Sequence, residues 1–164
     1  MNKQYEKVFV DSASNLVTLK YDPQIEYFKF ISSKKKDGYS QFIITSDIML
    51  ELLKELVVVY NYQPINLRLQ DEDLSLTERM DELIADSREN SASVFRLIEE
   101  LKGLSDNNNI DIAQIALKHR QNKKSVQIRI QTNGLIIIEV SEIQLIEEIN
   151  QMLLKIIKHY YFGE

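Results

Sequence analysis

The chain has 164 residues, of which 44% are hydrophobic and 27% charged, and its formal net charge is −5. This composition, with only four glycines and two prolines, predicts a folded chain and excludes a disordered or low-complexity one. The absence of cysteine excludes disulfides, thiolate nucleophiles and thiolate metal sites, and it favours a reducing, cytoplasmic location.

Residues 1–63 predict a β-meander that ends in a helix, a ββββα unit. Segments rich in β-branched and aromatic residues are separated by turn residues, which indicates strands at residues 8–11, 16–21, 26–32 and 39–45. Residues 35–38 predict the hairpin turn before the last of these strands. Ser46 or Asp47 then caps a helix that runs to about residue 60.

Residues 64–110 hold most of the acidity, with five cationic side chains against eleven acidic ones. Alternating apolar and polar residues indicate a brief strand at residues 65–69. Ser75 and Glu78 form a capping box that predicts the start of one long amphipathic helix, which Gly103 ends. Such a helix offers a docking face for a protein partner.

Residues 111–164 predict a second unit, βββα. Its strands are expected at residues 112–120, 125–131 and 135–140, with a hairpin turn at Asn133 and Gly134. Ser141 is expected to cap a final helix that runs to about residue 161.

The two helices that close these units are apolar nearly all round, so each must be covered on more than one side. We expect them to pack together between two sheets, with a homodimer contact as the alternative. The predicted fold class is therefore α+β. It has two antiparallel meander-plus-helix units, residues 1–63 and 111–164, joined within one compact domain by the acidic linker of residues 64–110, which contains the long amphipathic helix.

The sequence contains no recognised catalytic, metal or cofactor motif. Its glycines are isolated, so it has no phosphate-cradling loop, and its two histidines lack the spacing of metal ligands. Residues 106–111 resemble a calcium loop, but Ile110 and Asp111 stand where a ligand and a glycine are needed. We expect a non-catalytic protein without metal or cofactor. An enzyme with a cleft around His119, Glu139 or Tyr21 is the alternative.

For two further segments we expect no binding site and no membrane span, respectively. The acidic run at residues 71–73 is expected to be solvated ahead of a helix, with binding of a divalent ion or a basic partner as the alternative. The longest unbroken apolar run, residues 56–60, is far shorter than a membrane span, so we expect no membrane segment.

Strand alternation predicts a cationic sheet face within residues 111–164, because apolar residues alternate with polar ones at residues 115–120 and 126–131. The polar set is Lys118, Arg120, Gln127, Arg129 and Gln131, beside Lys123 and Lys124 at the turn. If the two strands pair, these side chains share one surface.

A second basic patch is predicted in the first segment. Tyr27 and Lys29 point to one side of the predicted strand, Phe28 and Phe30 point to the other, and residues 34–36 are lysines beside the hairpin. Aromatic side chains interleaved with lysines stack bases while the cations hold phosphates. The alternative is that the phenylalanines belong to the core and the lysines form a solvated face.

Three stretches carry a family resemblance: the strand at residues 26–31, the basic hairpin at residues 34–38, and residues 42–56 running into the first helix. They resemble the positive cofactor family of single-strand-binding transcriptional coactivators, and the twofold arrangement is similar to that of Whirly proteins. In these families curved antiparallel sheets present basic and aromatic residues to single-stranded nucleic acid.

The resemblance implies a binding protein for single-stranded DNA or RNA. The residues expected to contact it are Tyr27, Lys29, Lys34, Lys35, Lys36, Lys118, Arg120, Lys124 and Arg129. The alternative prediction is an acidic protein-interaction module, with an adaptor, regulatory, inhibitory or chaperone-like role and no contact with nucleic acid.

Overall fold

The computed structural model describes residues 1–71, 73–90 and 92–163. Its strands are β1 (Asn2–Val10), β2 (Leu16–Tyr21), β3 (Ser40–Gln41), β4 (Gln63–Leu69), β5 (Ile112–Gln121), β6 (Lys124–Gln131) and β7 (Leu135–Val140). Its helices are α1 (Tyr27–Lys36), α2 (Ser46–Val58), α3 (Leu74–Glu89), α4 (Ser93–Asn108) and α5 (Leu145–Phe162). The predicted α+β class is confirmed. Within the described ranges, no helix has the length and apolarity of a membrane span.

The strands form one antiparallel sheet in the order β2-β1-β7-β6-β5-β4, and β3 pairs with the end of β1. The expectation of two separate sheets is wrong, because β1 pairs with β7 and so joins the first and last segments of the chain. Both faces of β1 are apolar in its second half, where Val8 and Phe9 point to opposite sides and are both buried. A strand buried on both faces belongs inside a sheet.

One face of the sheet is covered by α2, α3, α4 and α5, and the main core lies between this face and those helices. Alternating residues of β6 and β7, among them Ile128, Ile130 and Ile138, point into this core. The predicted contact between α2 and α5 is present, and α4 and the sheet cover the other sides of α2. Burial of a leucine such as Leu53 or Leu56 contributes about 1.5–3 kcal/mol. The nearly all-round apolar character of α2 is therefore satisfied within one chain.

The opposite face carries α1, which forms where the sequence predicts a strand and a hairpin. Tyr27, Phe30 and Ile31 are spaced three and four residues apart, and they pack on Phe9 and Tyr21 of the sheet. The three lysines at residues 34–36 lie in the last helical turn, where cations favour the helix dipole. Helical burial of one apolar stripe thus outweighs the β propensity of the aromatic residues, and the predicted strand at residues 39–45 shrinks to β3.

The single long helix predicted from Ser75 is also wrong, since the chain folds there into α3 and α4, which pack on each other. The break falls at Asn90, whose backbone is extended and whose side chain accepts a hydrogen bond from the Ala92 amide at 3.0 Å. The apolar faces of both helices are buried in the core. The apolar stripe of each helix is therefore used within the chain, whereas the outer faces, including Phe95 at 46% exposure, stay open.

Helix caps differ from the predicted ones in four places. Ser141 does not cap α5, which begins at Leu145 after Gln144, and its hydroxyl instead accepts from the Ser125 amide at 3.0 Å. Asp73 caps α3, its carboxylate accepting from the Leu76 amide at 2.8 Å, whereas Glu72 of the same acidic run lies outside the described residues. Thr45 caps α2, because Ser46 instead donates to Asp111 at 2.9 Å. Gly103 lies inside α4, which ends at Asn109 in the left-handed conformation with φ of 54°.

Candidate binding surface

Beyond the residues covered by α1, the second face of the sheet is open on β4, β5, β6 and part of β7. Helix α1 covers apolar residues of β1, β2 and β7, including Leu135 and Ile137. On the neighbouring strands the residues on the α1 side of the sheet are polar. The apolar residues that alternate with them, Leu117, Ile128 and Ile130, point to the helix-covered core on the opposite side. We name this region the open sheet face. Its polar residues are Lys3, Asn66, Arg68, Gln114, Lys118, Arg120, Gln127, Arg129, Gln131 and Glu139.

Strand register places the three predicted cations of this surface together. Lys118 on β5 lies opposite Gln127 on β6, and Arg129 on β6 lies opposite Ala116 on β5. Side chains in such opposite positions have Cβ atoms about 5 Å apart. Arg120 follows Lys118 on the same side of β5, two residues or about 7 Å along the strand. The prediction that Lys118, Arg120 and Arg129 share one face is confirmed.

The open sheet face is cationic although the chain as a whole is acidic. Among the described residues it carries five cationic side chains, Lys3, Arg68, Lys118, Arg120 and Arg129, and one carboxylate, Glu139, which gives a local charge of +4 against −5 for the chain. Glu139 pairs with Lys3 across β1 and β7 at 3.2 Å. Both members of this pair are partly exposed, so the pair is screened by water and holds little energy.

Arg129 occupies the middle of the open sheet face. Its neighbours on the adjacent strands are Ala116 and Ile137, which are only 1% and 8% exposed although no described helix covers Ala116. This burial is expected when a long arginine stem lies across small and apolar neighbours. The Nε atom of Arg129 is itself buried and has no hydrogen-bond partner among the described residues. The stem and Nε of Arg129 are thus held against the sheet.

Lys124 does not belong to the open sheet face. Alternation along β6 places it on the side of Val126 and Ile128, and its ammonium pairs with Glu142 at 3.6 Å. Its inclusion in the predicted patch was wrong because Lys124 is the first residue of β6 and not part of the turn, so alternation gives it the side opposite to Arg129.

The remaining predicted contacts lie on α1 instead of on a strand. Tyr27 is half-buried, its hydroxyl donates to Gln41 at 3.3 Å, and burial raises its pKa, so it anchors α1 and offers no free stacking surface. Lys29 approaches Glu26 at 4.0 Å, and the Lys34 ammonium lies 5.8 Å from the centre of the Phe30 ring. Lys35 and Lys36 are exposed in the last turn.

The phenylalanines of α1 also differ from the prediction. Phe28 and Phe30, which alternate with Tyr27 in a strand, point in nearly opposite directions on a helix because each residue turns the chain by about 100°. Phe30 is therefore buried, while Phe28 is 72% exposed beside Lys29 and Lys36. The exposed aromatic residue next to the lysines is Phe28.

Sequence reasoning missed Lys3 and Arg68, which complete the open sheet face. Arg68 alternates with Leu67 and Leu69 in β4, and that alternation was a usable signal, but pairing of β4 with β5 is not visible in sequence. Lys3 was missed because β1 was expected to begin at Val8, whereas it begins at Asn2 and pairs with β7 from there.

The residues considered for an enzyme cleft do not converge. His119 points to the helix side of the sheet, Glu139 pairs with Lys3 on the open side, and the buried Tyr21 donates to the Ile25 carbonyl at 2.8 Å beneath α1. The rejected calcium loop has Asp111 accepting from Ser46 and Ser105, each at 2.9 Å. Among the described residues, no group of three acidic or histidine side chains is placed to hold a metal ion.

Comparison with known proteins gives no match to a family model, to a curated protein or to a solved structure.

Proposed function

We propose that the chain is a non-catalytic protein that binds single-stranded nucleic acid on the open sheet face. The observation that carries this proposal is the strand register, which brings Lys118, Arg120 and Arg129 to one uncovered surface. Cations clustered on one face of an acidic protein concentrate a polyanion there, while the rest of the molecule repels it.

The shape of the surface favours a single strand over a duplex. A duplex is read by an element that enters a groove, and no described helix or ribbon rises from β4, β5 or β6, since α1 lies beside them over β1 and β2. A single strand lies on a sheet and exposes its base edges and ring faces. The Gln127 amide supplies a donor and an acceptor for base edges, and so do the Gln114 and Gln131 amides beyond the hydrogen bond that Gln131 Nε2 donates to Gln114 Oε1 at 3.1 Å. The plane of Arg129 supplies a stacking surface.

Helix α1 borders this surface and extends it. Phe28 with Lys29 and Lys36 forms an exposed aromatic and cationic group on the same side of the sheet. Base stacking on an aromatic ring contributes about 1–3 kcal/mol per base. We place the backbone of the bound strand across β4, β5 and β6, with one base reaching Phe28. This arrangement also agrees with the resemblance to the positive cofactor and Whirly families.

Binding is tested by fluorescence anisotropy with labelled oligo(dT) and oligo(U). The variant Lys118→Ala/Arg120→Ala/Arg129→Ala removes the shared cations, and we expect it to weaken binding at least tenfold, since each phosphate contact adds to the counterions released. The matched control Lys54→Ala/Lys102→Ala/Lys155→Ala removes three exposed lysines from the helices on the other side. Equal affinity in the two triple variants, or no binding by the wild-type chain, would refute the proposal.

A further inference from the structure

A cavity lies on the helix side of the sheet, away from the open sheet face. It has a volume of about 680 Å³, within the range of small-molecule sites, and it opens between the β5–β6 hairpin, the start of β4 and the first turns of α5. Val126, Leu145, Ile149 and Met152 line it with apolar surface. An apolar cavity of this size with a few polar groups is the usual form of a ligand site.

Two aromatic residues with hydrogen-bonding groups meet in this cavity. The rings of Tyr62 and His119 are 5.0 Å apart between centres, and Tyr62 is only 6% exposed. Neither the Tyr62 hydroxyl nor the His119 ring has a hydrogen-bond partner within the described part of the chain, apart from the contact between the two rings. His119 is half-buried and the Tyr62 hydroxyl is not enclosed by protein, so both polar groups are available from the cavity to one polar ligand group.

Both groups are uncharged near neutral pH and both donate. Burial, together with the nearby carboxylate of Glu148, raises the pKa of Tyr62 to about 12, so its hydroxyl keeps its proton. Burial lowers the pKa of His119, so its ring is neutral and has one N–H. A group that accepts two hydrogen bonds therefore fits between them, and a carboxylate has the oxygens to do so.

The charged residues at the mouth are compatible with an anion. Lys124 is already paired with Glu142 at 3.6 Å, and Lys155 and Glu148 balance one another. A bound carboxylate favours the charged form of a nearby histidine, so His119 takes up a proton as the anion enters and neutralises it. Binding of an anion in the cavity is thus coupled to protonation of His119.

We propose that this cavity binds a small organic carboxylate, with the carboxylate between Tyr62 and His119 and the hydrocarbon body on Leu145 and Met152. The proposal is independent of nucleic-acid binding, because the open sheet face lies on the other side of the sheet.

The test uses three probes of similar shape and different charge, namely benzoate, benzyl alcohol and benzylamine. The chain has two histidines, so the His119 ring signal in a proton NMR spectrum is assigned by its loss in His119→Gln. We expect saturable shifts with benzoate, a higher pKa of His119 in the complex, and tighter binding at about pH 6 than at about pH 8, on either side of the ordinary histidine pKa. Benzyl alcohol and benzylamine should bind more weakly.

The variant Tyr62→Phe removes one hydroxyl and should weaken benzoate binding about tenfold, as expected for a lost hydrogen bond to a charged group. Tyr39→Phe makes the same change beneath α1 on the opposite face and should leave binding unchanged. The proposal is overturned if no probe gives a saturable shift, if benzylamine binds as tightly as benzoate, or if Tyr62→Phe binds benzoate like the wild-type chain.

Discussion

Lys7 is a fully buried lysine, and we predict that it makes the stability of the protein depend on alkaline pH. Its side chain is 0% exposed, and its ammonium donates to the Val8 carbonyl at 3.0 Å and to the Phe42 carbonyl at 3.5 Å. The ammonium also lies 5.0 Å from the centre of the Phe9 ring. In the described ranges no carboxylate pairs with it, so the charge is held by carbonyl dipoles and a ring alone.

Burial lowers the pKa of Lys7 from 10.5 to about 8. Between these two values the unfolded chain binds more protons at this site than the folded one, so the free energy of unfolding rises with pH. Below about pH 8 both states are protonated and the full penalty of the buried charge is present. A pKa lowered by about 2.5 corresponds to about 3 kcal/mol, since each pH unit is worth about 1.4 kcal/mol.

The variant Lys7→Met removes the charge and keeps the length of the side chain. We expect it to be more stable than the wild-type chain at neutral pH, and we expect this advantage to shrink by about 3 kcal/mol as the pH rises past the ordinary lysine pKa. Urea unfolding followed by circular dichroism at each pH measures the difference in free energy of unfolding between Lys7→Met and the wild-type chain. The effects of other titrating groups are common to both proteins and cancel in the difference.

Lys54→Met at an exposed position of α2 is the control, and its difference from the wild-type chain should be independent of pH. A Lys7→Met advantage that is equally flat with pH would show that the Lys7 ammonium stays hydrated in the folded protein, and the reasoning from its burial would then be wrong.

Two further predictions concern stability. Gly134 has φ of +84°, and a Cβ there would clash with the backbone carbonyl oxygen of Phe42 and meet the Lys7 ammonium at 2.7 Å, so Gly134→Ala should lower the free energy of unfolding by at least about 2 kcal/mol. Gly38→Ala, with φ of +94° and open space around it, should lose only about 1 kcal/mol, and equal losses would contradict the close contact. Asp73→Ala should lose about 1 kcal/mol through its N-cap bond to Leu76, measured by urea unfolding. Ser75→Ala should lower the free energy of unfolding by less than half as much as Asp73→Ala. A larger loss in Ser75→Ala than in Asp73→Ala would support the capping box predicted from the sequence instead.

Local patterns in the sequence predicted much of the fold. The bounds of β2 and β7 agree with the prediction, and the βββα order of the last segment is confirmed, because alternation and the Asn133-Gly134 turn are local signals. The region of α1 was misassigned because Tyr27, Phe28 and Phe30 have high strand propensity, whereas the packing of Tyr27 and Phe30 on the sheet decided the structure. Propensity yields to burial where the two disagree.

The long-range arrangement was not accessible to the same reasoning. Pairing of β1 with β7 joins residues more than a hundred positions apart, and no local pattern records which strands become neighbours. The polar residues around Asn90 indicate a break between helices. The helical spacing of apolar residues continues across them, however, and therefore predicted one uninterrupted helix.

Three of the five cations of the open sheet face followed from the sequence alone. Alternation along two neighbouring strands joined by a short turn fixes the common side of Lys118, Arg120 and Arg129 without knowledge of the rest of the fold. Lys3 and Arg68 reach the same surface only through the pairing of β1 with β7 and of β4 with β5. Lys124 was misplaced because it was assigned to the turn, whereas it begins β6 and alternates with the residues of the open sheet face.

The salt dependence of oligo(dT) binding tests the central claim most directly. For a single strand the slope of log K against log salt changes by about 0.7 per phosphate contact. Lys118→Ala/Arg120→Ala/Arg129→Ala should therefore reduce the slope by about 2, whereas the Lys54, Lys102 and Lys155 control should keep the wild-type slope. Identical slopes in the wild-type chain and the open-face variant would contradict the assignment of the nucleic-acid backbone to this surface.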